Sequence, residues 1–448
     1  MANKYGEMFT MRFGSKYWVF LNSRRVAAEL LDKKAPIYSS RQDLIAAHDL
    51  ISGGMRLLTM PYGDRWRRMR KAVHQILNIS QAGMFEGFQD IESRALLYEH
   101  LEIPDLWWLS HARYANSVIM SVVFGRRCKV DDPELAKLLA VGEEFVKYLM
   151  PGRACVDIFP FLVRIPWLKK WQPWRNWADR INIETISVYQ KQIDDLHARM
   201  RLGKQNDCFM SEFMKLGKNE EFTEEELCFV TGALMEAGSD TTRVSLHEMV
   251  AGAVLFPDWV ERARQELDAV CGANAERLPE FQDKARLPLI KAAVKETIRW
   301  KPTIAETGIP HALTQDDEFE GYRFPAGTVF TWNHWGISNN PREYQQPERF
   351  WPERFVNEDL DKVTKGHLGF GAGRRICVGA GVAANNLFIS IARLLYCFDY
   401  SMVPGEPIDT SKPFPPSNTG PPFKVQIRVR SEAHRQLIER ECREAMIF

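Results

Sequence analysis

The 448-residue sequence lacks any excess of charge: Lys plus Arg number 59 and Asp plus Glu 58, a net charge of +1. A chain so balanced has no global field with which to hold a polyanion, so a nucleic-acid partner is not expected. It has few cysteines, eight at positions 128, 155, 208, 228, 271, 377, 397 and 442, and no C-x-x-C pair among them. That spacing excludes a disulfide frame or a zinc ribbon and reads as reduced, intracellular thiols. No unbroken apolar run approaches the roughly 20 residues of a membrane-spanning helix, and Met1 to Arg12 is too polar for a signal peptide. With 45% apolar residues, 26% charged, 28 Gly and 24 Pro, the composition excludes collagen-like and disordered chains.

What is present is mostly helical pattern. Tyr17–Leu21 reads as a short strand and Val26–Leu31 as a helix; helical patterns follow at 64–75, 89–98, 116–124 and 179–202. Gly203 to Lys218 reads as a loop. Thr223 with Glu226 forms a capping box that opens a helix to Phe256, stopped by Pro257 and about 50 Å long. Helices are expected at 257–271, 288–300 and 379–398, strands within 319–335 and at 423–429, and little periodicity over 339–373. No linker divides the chain, so residues 1–448 read as one large domain, mainly α with a minor β portion.

Residues 370–379 spell F-G-A-G-R-R-I-C-V-G and fit F-x-x-G-x-R-x-C-x-G. Five fixed positions match by chance in a chain this long on the order of once in ten thousand. The segment resembles the signature of the cytochrome P-450 haem-thiolate monooxygenases. The resemblance implies the fold of that family, haem b (iron-protoporphyrin IX) as cofactor, Cys377 as its metal ligand, and Phe370 and Arg375 as cofactor contacts, with Arg375 on a propionate. A thiolate ligand suits such an iron because it donates electron density that favours O–O cleavage. Gly371, Gly373 and Gly379 would let backbone N–H groups approach the sulfur.

Other segments match the family in the expected order. Trp66-Arg67-Arg68-Met69-Arg70 resembles W-R-x-x-R, which makes Trp66 and Arg70 propionate partners and leaves Arg67 and Arg68 for an electron donor. His311 after Pro310 matches a further propionate position. Glu296 and Arg299 share a helix face at i, i+3, an arrangement that alone is a common surface ion pair; it resembles E-x-x-R, whose partner would be Arg354 of the second P-E-R-F and not Arg349 of the first. Ala237-Gly238-Ser239-Asp240-Thr241-Thr242 resembles A-G-x-D-T-T, with Asp240 and Thr241 as the catalytic proton-handling pair; Gly and paired Thr are poor helix formers, so a local fault in the helix is expected.

The expected function is a monooxygenase that inserts one atom of O2 into an apolar small molecule. Its electrons would come from a separate NADPH-dependent cytochrome reductase, in a tailoring step of secondary metabolism, since the stretch from Pro310 looks most like filamentous-fungal members. Substrate contacts are expected from Ala46 to Thr59, Gly232 to Asp240, Thr303 to Ile309 and Ser417 to Gly420. The rival readings are a haem-thiolate isomerase or dehydratase that needs no O2, and a haem sensor or carrier. The apolar anchor and Pro-rich hinge of membrane-bound members are not found. Residues 157–180, with Phe159, Phe161, Trp167, Trp171, Trp174 and Trp177 beside Arg164, Lys169, Lys170, Arg175 and Arg180, suggest contact with a membrane surface, on the cytosolic side of the endoplasmic reticulum; the alternative is a Trp-rich lid packed on the protein's own core.

Overall fold

The computed structural model describes residues 2–78, 83–130, 132–149, 154–165, 172–204, 207–220, 222–302, 308–414 and 420–447. Its long helices are α1 (Asp64–Leu77), α2 (Glu86–Glu102), α3 (Trp107–Phe124), α4 (Pro133–Leu149), α5 (Pro173–Arg201), α6 (Phe209–Glu220), α7 (Glu224–Leu255), α8 (Pro257–Cys271), α9 (Pro288–Trp300), α10 (Ala380–Cys397) and α11 (Glu432–Cys442). Short strands complete it: β1 (Met8–Phe13), β2 (Lys16–Leu21), β3 (His311–Ala312), β4 (Asp317–Phe319), β5 (Tyr322–Phe324), β6 (Val329–Trp332), β7 (Phe398–Met402) and β8 (Val425–Val429). The fold is mainly helical, as expected from the periodicity.

α7 is the axis. Its N-terminus is closed by the capping box read from the sequence: the Thr223 hydroxyl accepts from Glu226 N–H, and the Glu226 carboxylate accepts from Thr223 N–H, both at 3.1 Å. The helix runs unbroken to Leu255, where Pro257 begins α8. The fault expected at Gly238 is absent. Gly238 instead lets α3 come close, since a Cβ there would stand 2.5 Å from the Ile119 side chain. Ser239 and Thr241 turn their hydroxyls back to the carbonyls of Met235 and Ala237, both at 2.7 Å, so neither competes with the helix for its own bonds.

α10 has the length and hydropathy of a membrane span, but 89% of it is buried inside the protein, so it is a core helix. A four-stranded sheet, ordered β1-β2-β6-β3, joins the chain's start to residues 311–332; β2 and β6 run parallel, Trp18 opposite Val329. Three helices depart from the sequence reading. Residues 209–220 form α6, where Phe209, Met210 and Phe213 sink into the core. α4 and α11 were not among the helices read from the sequence, although each carries an apolar stripe at helical spacing: Leu138, Val141 and Phe145 on one, Leu437, Ile438 and Cys442 on the other. Residues 157–180 divide: Trp177 stacks on Tyr148 at 4.0 Å and Trp174 packs against the cluster of Ala46, Ala154 and Val156, whereas Phe159 and Phe161 are 49% and 57% exposed. Trp167, Trp171, Lys169 and Lys170 lie outside the described residues, as do 303–307 and 417–419 of the expected substrate contacts.

Candidate functional site

The site is built on the loop that leads into α10. Gly371 and Gly373 take φ of +77° and +62°, the left-handed region that glycine alone enters freely. Their turn brings Cys377 back so that its N–H donates to the Phe370 carbonyl at 2.8 Å. Gly373 is needed for a second reason: a Cβ there would lie 2.0 Å from the Leu31 carbonyl oxygen, so its role is close packing and not approach to sulfur. The Gly379 N–H does serve the sulfur. Burial pushes the Cys377 thiol up, and the Gly379 N–H and the Arg70 guanidinium draw it part of the way back. Protein alone therefore does not hold the thiolate. A bound metal ion would. Cys377 is also accessible although protein surrounds it, while Cys128, Cys208, Cys228, Cys271, Cys397 and Cys442 are buried.

Beside this thiol, guanidinium groups gather. Arg375 lies over the Trp66 ring, 4.2 Å from its centroid, and donates to the carbonyls of Ser39 at 2.8 Å and Met60 at 2.7 Å. Arg70 donates to the Ile376 carbonyl, one residue before Cys377. A third group, Arg41, had no motif to announce it; it donates to the carbonyls of Leu58, Ile309 and Pro310. Burial, and then their mutual repulsion, lowers Arg375 to about 8 and Arg41 to about 9; burial lowers Arg70 too. Among the described residues no carboxylate pairs with any of the three. Buried cations without a counter-charge are expensive, so the cluster asks for an anion. His311 stands against it: its Nδ1 meets the Tyr38 carbonyl at 2.7 Å, and its buried Nε2 has no partner among the described residues. Three guanidinium groups, one free imidazole nitrogen and an accessible thiol fit a haem with two propionates. The expected cofactor residues Trp66, Arg70, His311, Phe370, Arg375 and Cys377 thus come together, with Arg41 added.

Asp240 and Thr241 lie on α7, where Ala237 and Thr241, one turn apart, are exposed in the middle of an otherwise buried helix. Two accessible positions on one face of a core helix mark the wall of an internal hollow. Asp240 accepts from Arg243 at 2.6 Å; burial raises its carboxyl and Arg243 opposes the rise. Of the outward cations expected beside Trp66, Arg68 is engaged by Glu226 at 3.0 Å and Arg67 by Asp64.

The irregular segment beneath the loop is fixed by ions. Glu296 and Arg299, both fully buried, pair at 2.6 and 2.9 Å, and Arg354 joins Glu296 at 3.2 Å. Arg299 also donates to the carbonyls of Ser338 and Pro347, and Glu296 accepts from Trp351 N–H at 2.7 Å. Arg349 points elsewhere, to Asp258.

Comparison with known proteins agrees with this geometry. Residues 1–427 match the family described as Cytochrome P450. The chain is 34% identical to cytochrome P450 monooxygenase fogE of Aspergillus ruber, over 89% of this chain and 75% of that one. It is 34% identical to monooxygenase verL of Clonostachys rogersoniana, over 99% and 84%, and to monooxygenase patI of Penicillium expansum, over 99% and 86%. A zebrafish cytochrome P450 solved with progesterone has the same fold, with a TM-score of 0.78, 22% identity, and 96% and 97% of the two chains covered. The chain belongs to the cytochrome P450 monooxygenases, oxidoreductases that incorporate one atom of O2.

Proposed function

We propose that the chain binds haem b through Cys377 and oxidises an apolar small molecule in a tailoring step of secondary metabolism, with electrons from a separate NADPH-dependent reductase. The observation that carries this reading is the accessible Cys377 beside a guanidinium cluster that has no carboxylate partner among the described residues. The haem, when bound, supplies the oxygen-activating chemistry. Arg41, Arg70 and Arg375 would neutralise its propionates, with Trp66 stacked beneath Arg375; His311, whose Nδ1–H is held by the Tyr38 carbonyl, would donate from Nε2 only as the imidazolium that a propionate beside it favours. Cys377 would hold the metal as a thiolate, its thiol proton given up to solvent.

Asp240 and Thr241 handle protons. Arg243 fixes the orientation of the Asp240 carboxylate, which accepts a proton and returns it, while the Thr241 hydroxyl, held by the Ala237 carbonyl, can turn to donate on the hollow side. With the reductase and NADPH, Thr241→Ala is expected to keep its haem but release most of its reducing equivalents as hydrogen peroxide. Asp240→Asn is expected to slow NADPH oxidation roughly 10²-fold, because a neutral amide cannot relay the proton. A peroxide-to-NADPH ratio in Thr241→Ala equal to that of the parent contradicts the role given to Thr241. NADPH-dependent oxygen consumption by the parent separates this reading from an isomerase.

We also propose that the lid meets the cytosolic face of the endoplasmic reticulum. Support comes from the exposed pair Phe159 and Phe161, whose rings lie 6.1 Å apart, and from the exposed Arg180 later in the same segment. Asp157, the acid that would oppose lipid phosphate, is withdrawn: it accepts from Ala46 N–H at 3.0 Å, and burial pushes its carboxyl up to about 6. Changing Phe159 and Phe161 together to Ser is expected to reduce co-flotation with anionic vesicles several-fold at unchanged haem content. Equal flotation of variant and parent would make this segment an ordinary lid.

A further inference from the structure

Resting on the proton-handling role of Asp240 and Thr241, we propose that His100, His111 and His247 form a relay that carries protons from a surface hollow to Asp240. The stripe begins on α7, where Asp240, Arg243 and His247 stand at i, i+3 and i+7 and so share one face. The His247 ring stacks on His111 of α3, 5.4 Å between centroids and 23° between planes. His111 in turn stacks on His100 of α2, at 5.2 Å and 20°. Trp107 stands edge-on to both His111 and His247 at 5.2 Å, and Phe398 lies 5.6 Å from His100, so the column is sheathed in aromatic rings.

The three histidines are at most 1% exposed. His100 Nδ1 meets the Leu96 carbonyl at 3.1 Å; its Nε2, and both ring nitrogens of His111 and of His247, have no hydrogen-bond partner among the described residues. The Trp108 carbonyl lies near His247 without reaching hydrogen-bond geometry. Five such nitrogens in one file are more than packing explains. Phenylalanine would fill the same space without burying a polar atom. The file opens outward at His100, which lines a surface hollow of about 390 Å³ together with Leu101, Pro104, Arg428, Glu432 and Arg435. Glu432 and Arg435 make that mouth polar and open to solvent water.

The charged neighbours suit a relay and not a store of charge. Arg113, paired with Glu92 and Glu99, flanks the column between α2 and α3, and Arg243 flanks it on α7. Burial first, then these cations, hold His100 at about 4 and His247 at about 3; burial and the two neighbouring rings hold His111 well below its ordinary value. Each ring is therefore neutral at physiological pH, with one N–H and one lone pair. His111 and His247 take a proton on one nitrogen as they give one up from the other; His100, whose Nδ1–H the Leu96 carbonyl holds, takes up and passes on the proton at Nε2, and through bridging water each ring's own charge is restored. Asp240 receives the proton, with one carboxylate oxygen held by Arg243. Two turns of helix, about 10 Å, separate His247 from Asp240, a gap that water beside Arg243 would span.

The test uses His111→Phe and His247→Phe in the haem-loaded enzyme with an NADPH-dependent reductase. Reduction of the haem under carbon monoxide consumes no proton and is expected to keep the parent's rate and spectrum. Oxygen consumption is expected to fall at least about 10-fold, and its H2O-to-D2O rate ratio to rise. If one of these variants does not fold, His100→Phe at the hollow's edge is read in the same way. Oxygen consumption and isotope ratio equal to the parent's would overturn the relay. A parallel loss of reduction rate would overturn it too, as the mark of a packing role. Asp240→Asn in the same assay distinguishes the failures: slow Asp240→Asn beside unaffected histidine variants discards the column alone, whereas unaffected Asp240→Asn discards the reading beneath it.

Discussion

Cys377→Ser is expected to give a folded chain that retains less than about a tenth of the parent's haem and turns over at least about 100-fold more slowly. The bound follows from magnitudes: loss of a partner that merely supports a metal ligand costs 10- to 100-fold, and here the ligand itself goes. A serine hydroxyl is scarcely ionised near neutral pH, so it offers the metal no anion. The fold has little reason to suffer. The thiol is accessible, and the contact that closes the loop is made by the residue's backbone N–H to Phe370, which serine keeps. Haem stoichiometry with circular dichroism checks both halves. Full haem retention in Cys377→Ser would move the ligand elsewhere in the chain.

The second large effect is on stability. Glu296→Ala is expected to cost about 3–5 kcal/mol, the usual result when one partner of a buried ion pair is removed and the other stays. The reason lies in what remains. Arg299 is fully buried, Arg354 nearly so, and both would lose the carboxylate they share while the Trp351 N–H loses its acceptor. The irregular 338–351 segment hangs on these bonds, so haem should also dissociate more readily. Glu296→Gln keeps one acceptor oxygen and should cost less. Arg349→Ala, which breaks only the exposed pair with Asp258, should cost about 0–1 kcal/mol. Denaturant titration of the three variants checks the ranking; a Glu296→Ala cost no greater than that of Arg349→Ala contradicts the anchoring role.

Sequence legibility followed the range of the forces involved. The ends of α7 and α8 were legible because capping and proline are local: Thr223, Glu226 and Pro257 act within one turn. The Cys377 loop was legible because left-handed turns leave only glycine at Gly371 and Gly373. The choice of Arg354 over Arg349 rested on a resemblance, and the geometry now gives its cause in burial. Arg41 was invisible, since its partners Leu58, Ile309 and Pro310 come from distant parts of the chain. The histidine file was invisible for the same reason: His100, His111 and His247 sit on three helices, and each alone looks like an ordinary core or surface residue. α6 was misread because polar residues between its apolar positions look like a loop until the core they face is known. Gly238 was misread as a fault because propensity weighs against glycine in a helix, whereas close contact with Ile119 requires it.

The central claim is that Cys377 delivers a thiolate to haem iron. Its most direct measurement is the difference spectrum of the purified, haem-loaded parent, reduced and then exposed to carbon monoxide, with Cys377→Ser alongside. The account predicts the red-shifted band of a thiolate-ligated carbonyl complex in the parent and its loss in the variant. A parent spectrum at the shorter wavelength of a histidine-ligated haem, or a red-shifted band that survives in Cys377→Ser, would contradict it.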